Sequence, residues 1–187
     1  MEPKFNCQEL IYVLDLNNML IAIENIRSAW NVGSIMRSCD ALGVSQLLIV
    51  GYTPRPIGKN LNLISKTAIG SENTVSWQGF EHCNEVFGSY ASSDGFMHLA
   101  IDINENSTPI FEYLEANKEF LSTNSDKVVL WLGNEIRGLS LEVIDNCQHC
   151  LHLNMCGIKE SLNVASCMCT VGYLFDFVFQ KSSVTGE

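Results

Sequence analysis

The amino-acid sequence predicts an α/β fold: a mostly parallel sheet flanked by helices. Three observations carry this. Short apolar runs alternate with longer segments of helical periodicity along the whole chain. The clearest runs, Leu20–Glu24, Gln46–Val50 and Lys127–Leu132, are apolar at consecutive positions but for one polar end residue each, as strands covered on both faces are. Polar or glycine-containing loops follow these runs, where such sheets place their ligands.

The elements follow in order. Leu20-Ile21-Ala22-Ile23-Glu24 reads as a buried strand. Asn31 to Leu42 reads as a helix, with Val32, Ile35, Met36 and Cys39 at helical spacing and Gly43 as its stop. Gln46–Val50 is the second strand. Gly51 to Asn60, with two prolines and two glycines, is a loop. A short helix is expected near Leu61–Lys66 and a strand at Val75–Trp77. Phe80 to Tyr90 has a helical pattern, Phe96 to Asp102 is a strand, and Phe111–Glu119 is helical. Lys127–Leu132 is the clearest strand. Leu141–Asn146 is a short helix, Cys150–Leu153 a strand, and Ser161 to Phe179 the final helix.

Composition sets the class. With 187 residues, 47% apolar and 17% charged, one globular domain is expected over 1–187, its core at about 20–177 after a short extension 1–19. No apolar run approaches a membrane span, and Met1 to Glu9 lacks the pattern of a secretion signal, so a cytoplasmic protein is expected. The eight cysteines then read as reduced thiols. Cys147 and Cys150 form a Cys-x-x-Cys pair without a second pair at finger spacing, so a metal or redox site is the lesser reading and no metal is expected.

The net charge of −10 argues, by itself, against nucleic acid. Its distribution does not. Between Arg27 and Lys66 stand five cations (Arg27, Arg37, Arg55, Lys59, Lys66) and one carboxylate, Asp40. From Thr67 to Asn117 there is no Lys or Arg. A positive segment on an acidic body can hold phosphates; an uneven solvated surface is the plainer alternative.

Three motifs carry candidate chemistry. In Asn25–Arg37, Asn31 sits at the expected helix start, where it can simply be a cap, and Arg37 lies nearly two turns on. Gly33 in the first turn weakens the helix unless another backbone or a ligand approaches closely. In Leu132-Gly133-Asn134-Glu135-Ile136-Arg137-Gly138, two glycines bracket a polar turn at a strand end, and Glu135 can order an arginine, water or a ligand hydroxyl, or be a plain surface carboxylate. In Leu153–Asn163, Ser161 is expected to open the last helix, with Asn163 one turn inside it. A dinucleotide-type glycine fingerprint is missing after the first strand, and so is a phosphate-binding P-loop.

Together these residues resemble the SPOUT superfamily, specifically the SpoU/TrmH-type RNA 2′-O-ribose methyltransferases, over about residues 20–177. Lys66-Thr67-Ala68-Ile69-Gly70-Ser71-Glu72 also looks like the segment after the second strand in that family. The resemblance implies a deep C-terminal trefoil knot, an exception to the near absence of knots, and a homodimer. It implies S-adenosylmethionine held against Leu132, Gly133, Asn134, Glu135, Gly138, Leu153, Met155, Gly157, Ser161, Leu162 and Asn163. It carries Asn31, Arg37, Glu135, Ser161 and Asn163 over as catalytic positions, with Arg37 near the donor bound mainly by the partner subunit. Asn154 stands where the family usually has proline. The expected partner is RNA, tRNA slightly ahead of ribosomal RNA, contacted through Arg27, Arg37, Arg55, Lys59 and Lys66. The alternative is a catalytically weak or inactive RNA- or ribosome-binding dimer of the same fold.

Overall fold

A computed structural model describes residues 19–124 and 127–180. Seven parallel strands form one sheet in the order β3-β2-β1-β6-β4-β7-β5. They are β1 (Leu20–Glu24), β2 (Gln46–Val50), β3 (Trp77–Phe80), β4 (Met97–Ile101), β5 (Thr108–Pro109), β6 (Val128–Leu132) and β7 (His149–His152). Among the described residues seven α-helices accompany them: α1 (Ala29–Leu42), α2 (Gly58–Ala68), α3 (Cys83–Ser89), α4 (Ile110–Ala116), α5 (Lys118–Thr123), α6 (Leu141–Asn146) and, after the last strand, α7 (Val164–Gln180). No helix among the described residues is long and apolar enough to cross a membrane.

Strand periodicity divides the core into two layers. Ile21 and Ile23 of β1 face the layer containing α1, α4 and α7, with Val32, Ile35, Met36, Tyr113, Leu114, Met168, Val171 and Phe175. Leu20 and Ala22 face the other way, onto Val86 of α3, Val143 of α6 and Trp131. Buried on both faces, β6 is apolar throughout and β1 is apolar except for Glu24 at its end. This is why their sequence runs do not alternate.

Several boundaries differ from expectation. Ser28, not Asn31, caps α1, its Oγ accepting from Asn31 N at 3.4 Å. Asn31 is therefore inside the first turn, with its side chain free for other work. Asn163, not Ser161, caps α7: its Oδ1 accepts from Ala165 N at 3.0 Å and Ser166 N at 3.3 Å. The third strand runs Trp77–Phe80, and the helix expected at Phe111–Glu119 is broken at Asn117 into α4 and α5.

The second helix is longer than expected, and Gly33 explains its seat. A Cβ added at Gly33 would lie 2.2 Å from Ile64 O and 2.2 Å from Thr67 Oγ1. The close approach that the glycine implied is thus the backbone of α2. Thr67 Oγ1 also donates to Trp30 O at 2.8 Å.

Strands β1, β4, β6 and β7 end together. Ile23 and Ile101 both pair with Leu132, and Ile101 also pairs with Leu151. Their following loops form one edge, the ligand side of a parallel sheet.

Candidate functional site

A cavity of about 370 Å³ opens at that edge. Loop Gly133–Gly138 makes one wall, His152, Leu153 and Met155 with Glu160–Leu162 another, and Ile101–Ile103 a third. Of the residues expected to hold a cofactor, Leu132, Gly133, Asn134, Glu135, Gly138, Leu153, Met155, Ser161 and Leu162 all line it. Gly157 and Asn163 are not among its lining residues.

Loop 133–138 is a tight hairpin. Asn134 N donates to Gly138 O and Gly138 N to Asn134 O, each at 2.9 Å. Gly138 has φ of 70°, and a Cβ there would lie 2.3 Å from Asp102 Oδ2. Asn134 is buried and fully bonded. Its Oδ1 accepts from Ile136 N and Arg137 N, and its Nδ2 donates to Asn25 O and to the Tyr52 hydroxyl oxygen, both at 2.8 Å. A buried amide with every hydrogen-bonding site used fixes one conformation.

Three carboxylates secure this loop to the strand ends. Glu135 Oε2 accepts from Arg27 N at 2.9 Å, and its Oε1 accepts from Ser28 N at 3.0 Å and Asn31 Nδ2 at 2.8 Å. Burial pushes its carboxyl up, but the donors from Arg27, its own backbone, Asn31 and Ser28 outweigh this and hold it below the usual glutamate value. Asp102 accepts from Ile103 N and Leu139 N, both at 2.7 Å. Buried Glu24 accepts from Ser140 N at 2.9 Å and Ser140 Oγ at 2.8 Å.

The sequence reading missed the roles of Glu24 and Asp102. A signal existed: each carboxylate ends a buried parallel strand, where it must find donors.

Asn31 links the motifs. Its Nδ2 donates to Glu135, while its Oδ1 accepts from Asn163 Nδ2 at 3.1 Å. One polar chain, Asn163 to Asn31 to Glu135, thus joins the starts of α7 and α1 to the loop after β6.

Arg37 is exposed and lies outside the cavity. With Lys66, Ser34, Asn163 and Tyr173 it lines a second groove of about 740 Å³ between α1, α2 and α7.

The five expected RNA contacts are not equivalent. Arg27, Arg37, Lys59 and Lys66 are exposed. Arg55 is engaged, its guanidinium donating to Glu81 Oε1 at 2.6 Å and Phe80 O at 3.2 Å.

Among the described residues, no three His, Cys, Asp or Glu side chains are grouped to hold a metal ion. Burial, foremost, pushes the Cys147 and Cys150 thiols up, away from reactive thiolate. Cys150 Sγ instead accepts from Asn104 Nδ2 at 3.1 Å.

The model of the SpoU rRNA Methylase family matches residues 18–173. The chain is similar to a 23S rRNA (guanosine-2′-O-)-methyltransferase RlmB of Blochmanniella floridana, 25% identical over 98% of this chain and 68% of the relative. It is also similar to a tRNA (guanosine(18)-2′-O)-methyltransferase of Borreliella burgdorferi, 23% identical over 94% of this chain and 74% of that one. Among solved structures, the SpoU methyltransferase AviRb from Streptomyces viridochromogenes, in complex with AdoMet, superposes with a TM-score of 0.72 at 22% identity. That match covers 89% of this chain and 62% of AviRb, so the chain spans about three fifths of the solved protein. At that identity the superposition shows the fold.

Proposed function

The chain belongs to the SpoU rRNA Methylase family, and from that premise we propose an S-adenosylmethionine-dependent enzyme that methylates a ribose 2′-hydroxyl of RNA, tRNA slightly ahead of ribosomal RNA. One observation carries the proposal. The two late loops fold side by side into a single cavity, and the Asn163–Asn31–Glu135 chain ties that cavity to the helix bearing Arg37, more than a hundred residues earlier in the sequence. The names of the relatives, which act on tRNA or 23S rRNA, support the substrate class.

The cavity suits the donor on its own terms. Its volume lies within the usual range for small-molecule sites, about 300–1000 Å³. Leu132, Leu153, Met155 and Leu162 offer apolar surface, and Ser161, Asp102 and Glu160 offer polar atoms. A Cβ at Gly133 would lie 2.3 Å from Gly138 C, so the hairpin wall needs glycine there. When bound, S-adenosylmethionine supplies a methyl group already activated on a sulfonium.

The residues of this chain then have three tasks. Glu135, Asp102 and Glu24 fix the walls. Asn31 and Asn163 set the start of α1 relative to the cavity. Arg37 stabilises negative charge developing on the 2′-oxygen and holds an adjacent phosphate. A guanidinium stays protonated at working pH, so this role suits it better than proton abstraction. Aligning the hydroxyl in line supplies much of the acceleration.

That Arg37 lines the outer groove and not the cavity supports a role toward a donor bound by a second protomer. The proposal includes a homodimer, a C-terminal trefoil knot and a cytoplasmic location, as the family resemblance implies for the first two. Asn31, Arg37, Glu135, Ser161 and Asn163 are its catalytic positions.

Arg37→Ala tests the proposal. Methyl transfer from radiolabelled S-adenosylmethionine should be lost, while donor affinity by calorimetry stays within about twofold. Unchanged turnover refutes the assignment. Wild-type protein that binds no donor favours the catalytically inactive RNA-binding dimer.

A further inference from the structure

Tyr52 divides its side chain between two environments. Its hydroxyl accepts from Asn134 Nδ2 at 2.8 Å, on the loop that walls the cavity. The residue is nonetheless 62% exposed. We infer that the Tyr52 ring, anchored to the loop that walls the cavity, is a stacking platform for a base of the RNA substrate; the inference rests on the RNA methyltransferase reading above.

Four features support it. First, the ring is held before any ligand arrives. Its loop is pinned: Tyr52 N donates to Asn25 Oδ1 at 3.3 Å, and Gly51 N to Phe80 O at 3.0 Å. The neighbouring Thr53 is buried, its Oγ1 donating to Val50 O at 2.8 Å and accepting from Ile26 N at 3.0 Å. Little conformational entropy remains to be lost when a flat partner docks.

Second, the loop cannot drift from the site. A Cβ at Gly51, which has φ of 68°, would lie 2.2 Å from Asn25 Oδ1, and Asn25 O accepts from Asn134. Tyr52 and the cavity wall thus share the same two asparagines.

Third, the next residue of that wall, Glu135, holds the backbone amide of Arg27, an exposed cation. Lys59 adds a second exposed cation in the first turn of α2, seven residues after Tyr52.

Fourth, the distribution of charge along the sequence favours a polyanion on this segment. Residues 27–66 carry a net +4, while the remainder carries −14. An exposed aromatic ring on a segment that also carries exposed cations is the chemistry that binds single-stranded nucleic acid, the ring for a base and the cations for its phosphates.

The hydroxyl and the ring can be tested separately. Tyr52→Phe keeps the ring and removes the bond to Asn134; Tyr52→Ala removes both. The probe is total RNA from cells lacking the gene, titrated with radiolabelled S-adenosylmethionine, with donor affinity measured in parallel by calorimetry. Tyr52→Ala should raise KM for RNA on the order of tenfold, with donor affinity unchanged. Tyr52→Phe and Tyr52→Trp should stay within about twofold of wild type.

Four results overturn the inference. An unchanged KM in Tyr52→Ala beside an active wild type defeats it while sparing the methyltransferase reading. A Tyr52→Phe as impaired as Tyr52→Ala, or a shared loss of donor affinity, makes Tyr52 a mere strut for Asn134. A Tyr52→Ala that changes the sedimentation coefficient assigns the ring to a protomer contact. A wild type that neither binds donor nor methylates the RNA takes down the function and the inference together.

Discussion

Glu135→Gln isolates the electrostatics of the cavity wall. The wild-type carboxylate receives three donors, two at Oε1 and one at Oε2. Glutamine can present its oxygen to only one side. If that oxygen keeps Ser28 N and Asn31 Nδ2, the new NH₂ points at the amide of Arg27. One bond to a charged acceptor is lost, worth roughly 1.5–3 kcal/mol, and the other two become neutral, each weakening by about 1 kcal/mol. The residue is only half-buried, so the sum is discounted to about 2 kcal/mol for solvent screening. For a chain of this size that lowers Tm by about 4–8 °C at pH 7.

The pH dependence supplies a second reading. The carboxyl is held below its unfolded value, so its stabilisation is complete above the ordinary glutamate range and fades as pH falls through the folded value. Wild type and Glu135→Gln should therefore converge at low pH. Thermal denaturation of both proteins from pH 7 to pH 3 measures this. A gap under about 1 °C at pH 7, or a gap that does not change with pH, would refute the account of Glu135 as a charged clasp.

Other perturbations report on other parts of the structure. Gly33→Ala forces a Cβ against the backbone oxygen of Ile64 and should cost about 2–3 kcal/mol by urea denaturation, without abolishing donor binding. Asp102→Asn turns an NH₂ toward Ile103 N or Leu139 N; calorimetry should show donor affinity weakened on the order of tenfold with the circular dichroism spectrum retained. Buried His98 donates from Nε2 to Tyr90 O and accepts at Nδ1 from Trp131 Nε1, which holds it neutral. Burial depresses its pKa, against the smaller opposing pull of Tyr90 O, so the unfolded chain binds more protons just below the ordinary histidine value, about 6.5. Wild-type stability should therefore decline as pH falls from about 6.5, and His98→Gln should flatten that slope in urea titrations at pH 7 and pH 5.

The strands were legible because double-sided burial leaves polar residues only at their ends, and β1 and β2 stand as expected while β6 starts one residue later, at Val128. Helix α1 was legible from its apolar spacing. Its cap was not, since Ser28 and Asn31 both qualify by residue type, and only the position of Glu135 draws the Asn31 amide away. The same ambiguity moved the start of α7 from Ser161 to Asn163. Ser161 lies in the cavity wall, in a loop whose path nothing local dictates.

The sequence by itself determined the alternation of elements, the parallel sheet and the residue types at its ligand edge. These follow from short-range periodicity and from what a buried strand excludes. Tertiary structure alone decided which residues meet: Glu135 with Arg27 and Ser28, Asn31 with Asn163, Asp102 with Leu139, Tyr52 with Asn134. Those pairs are 37 to 132 residues apart. A hydrogen bond is a condition on distance and angle, and across such separations only the packed sheet and helices set either.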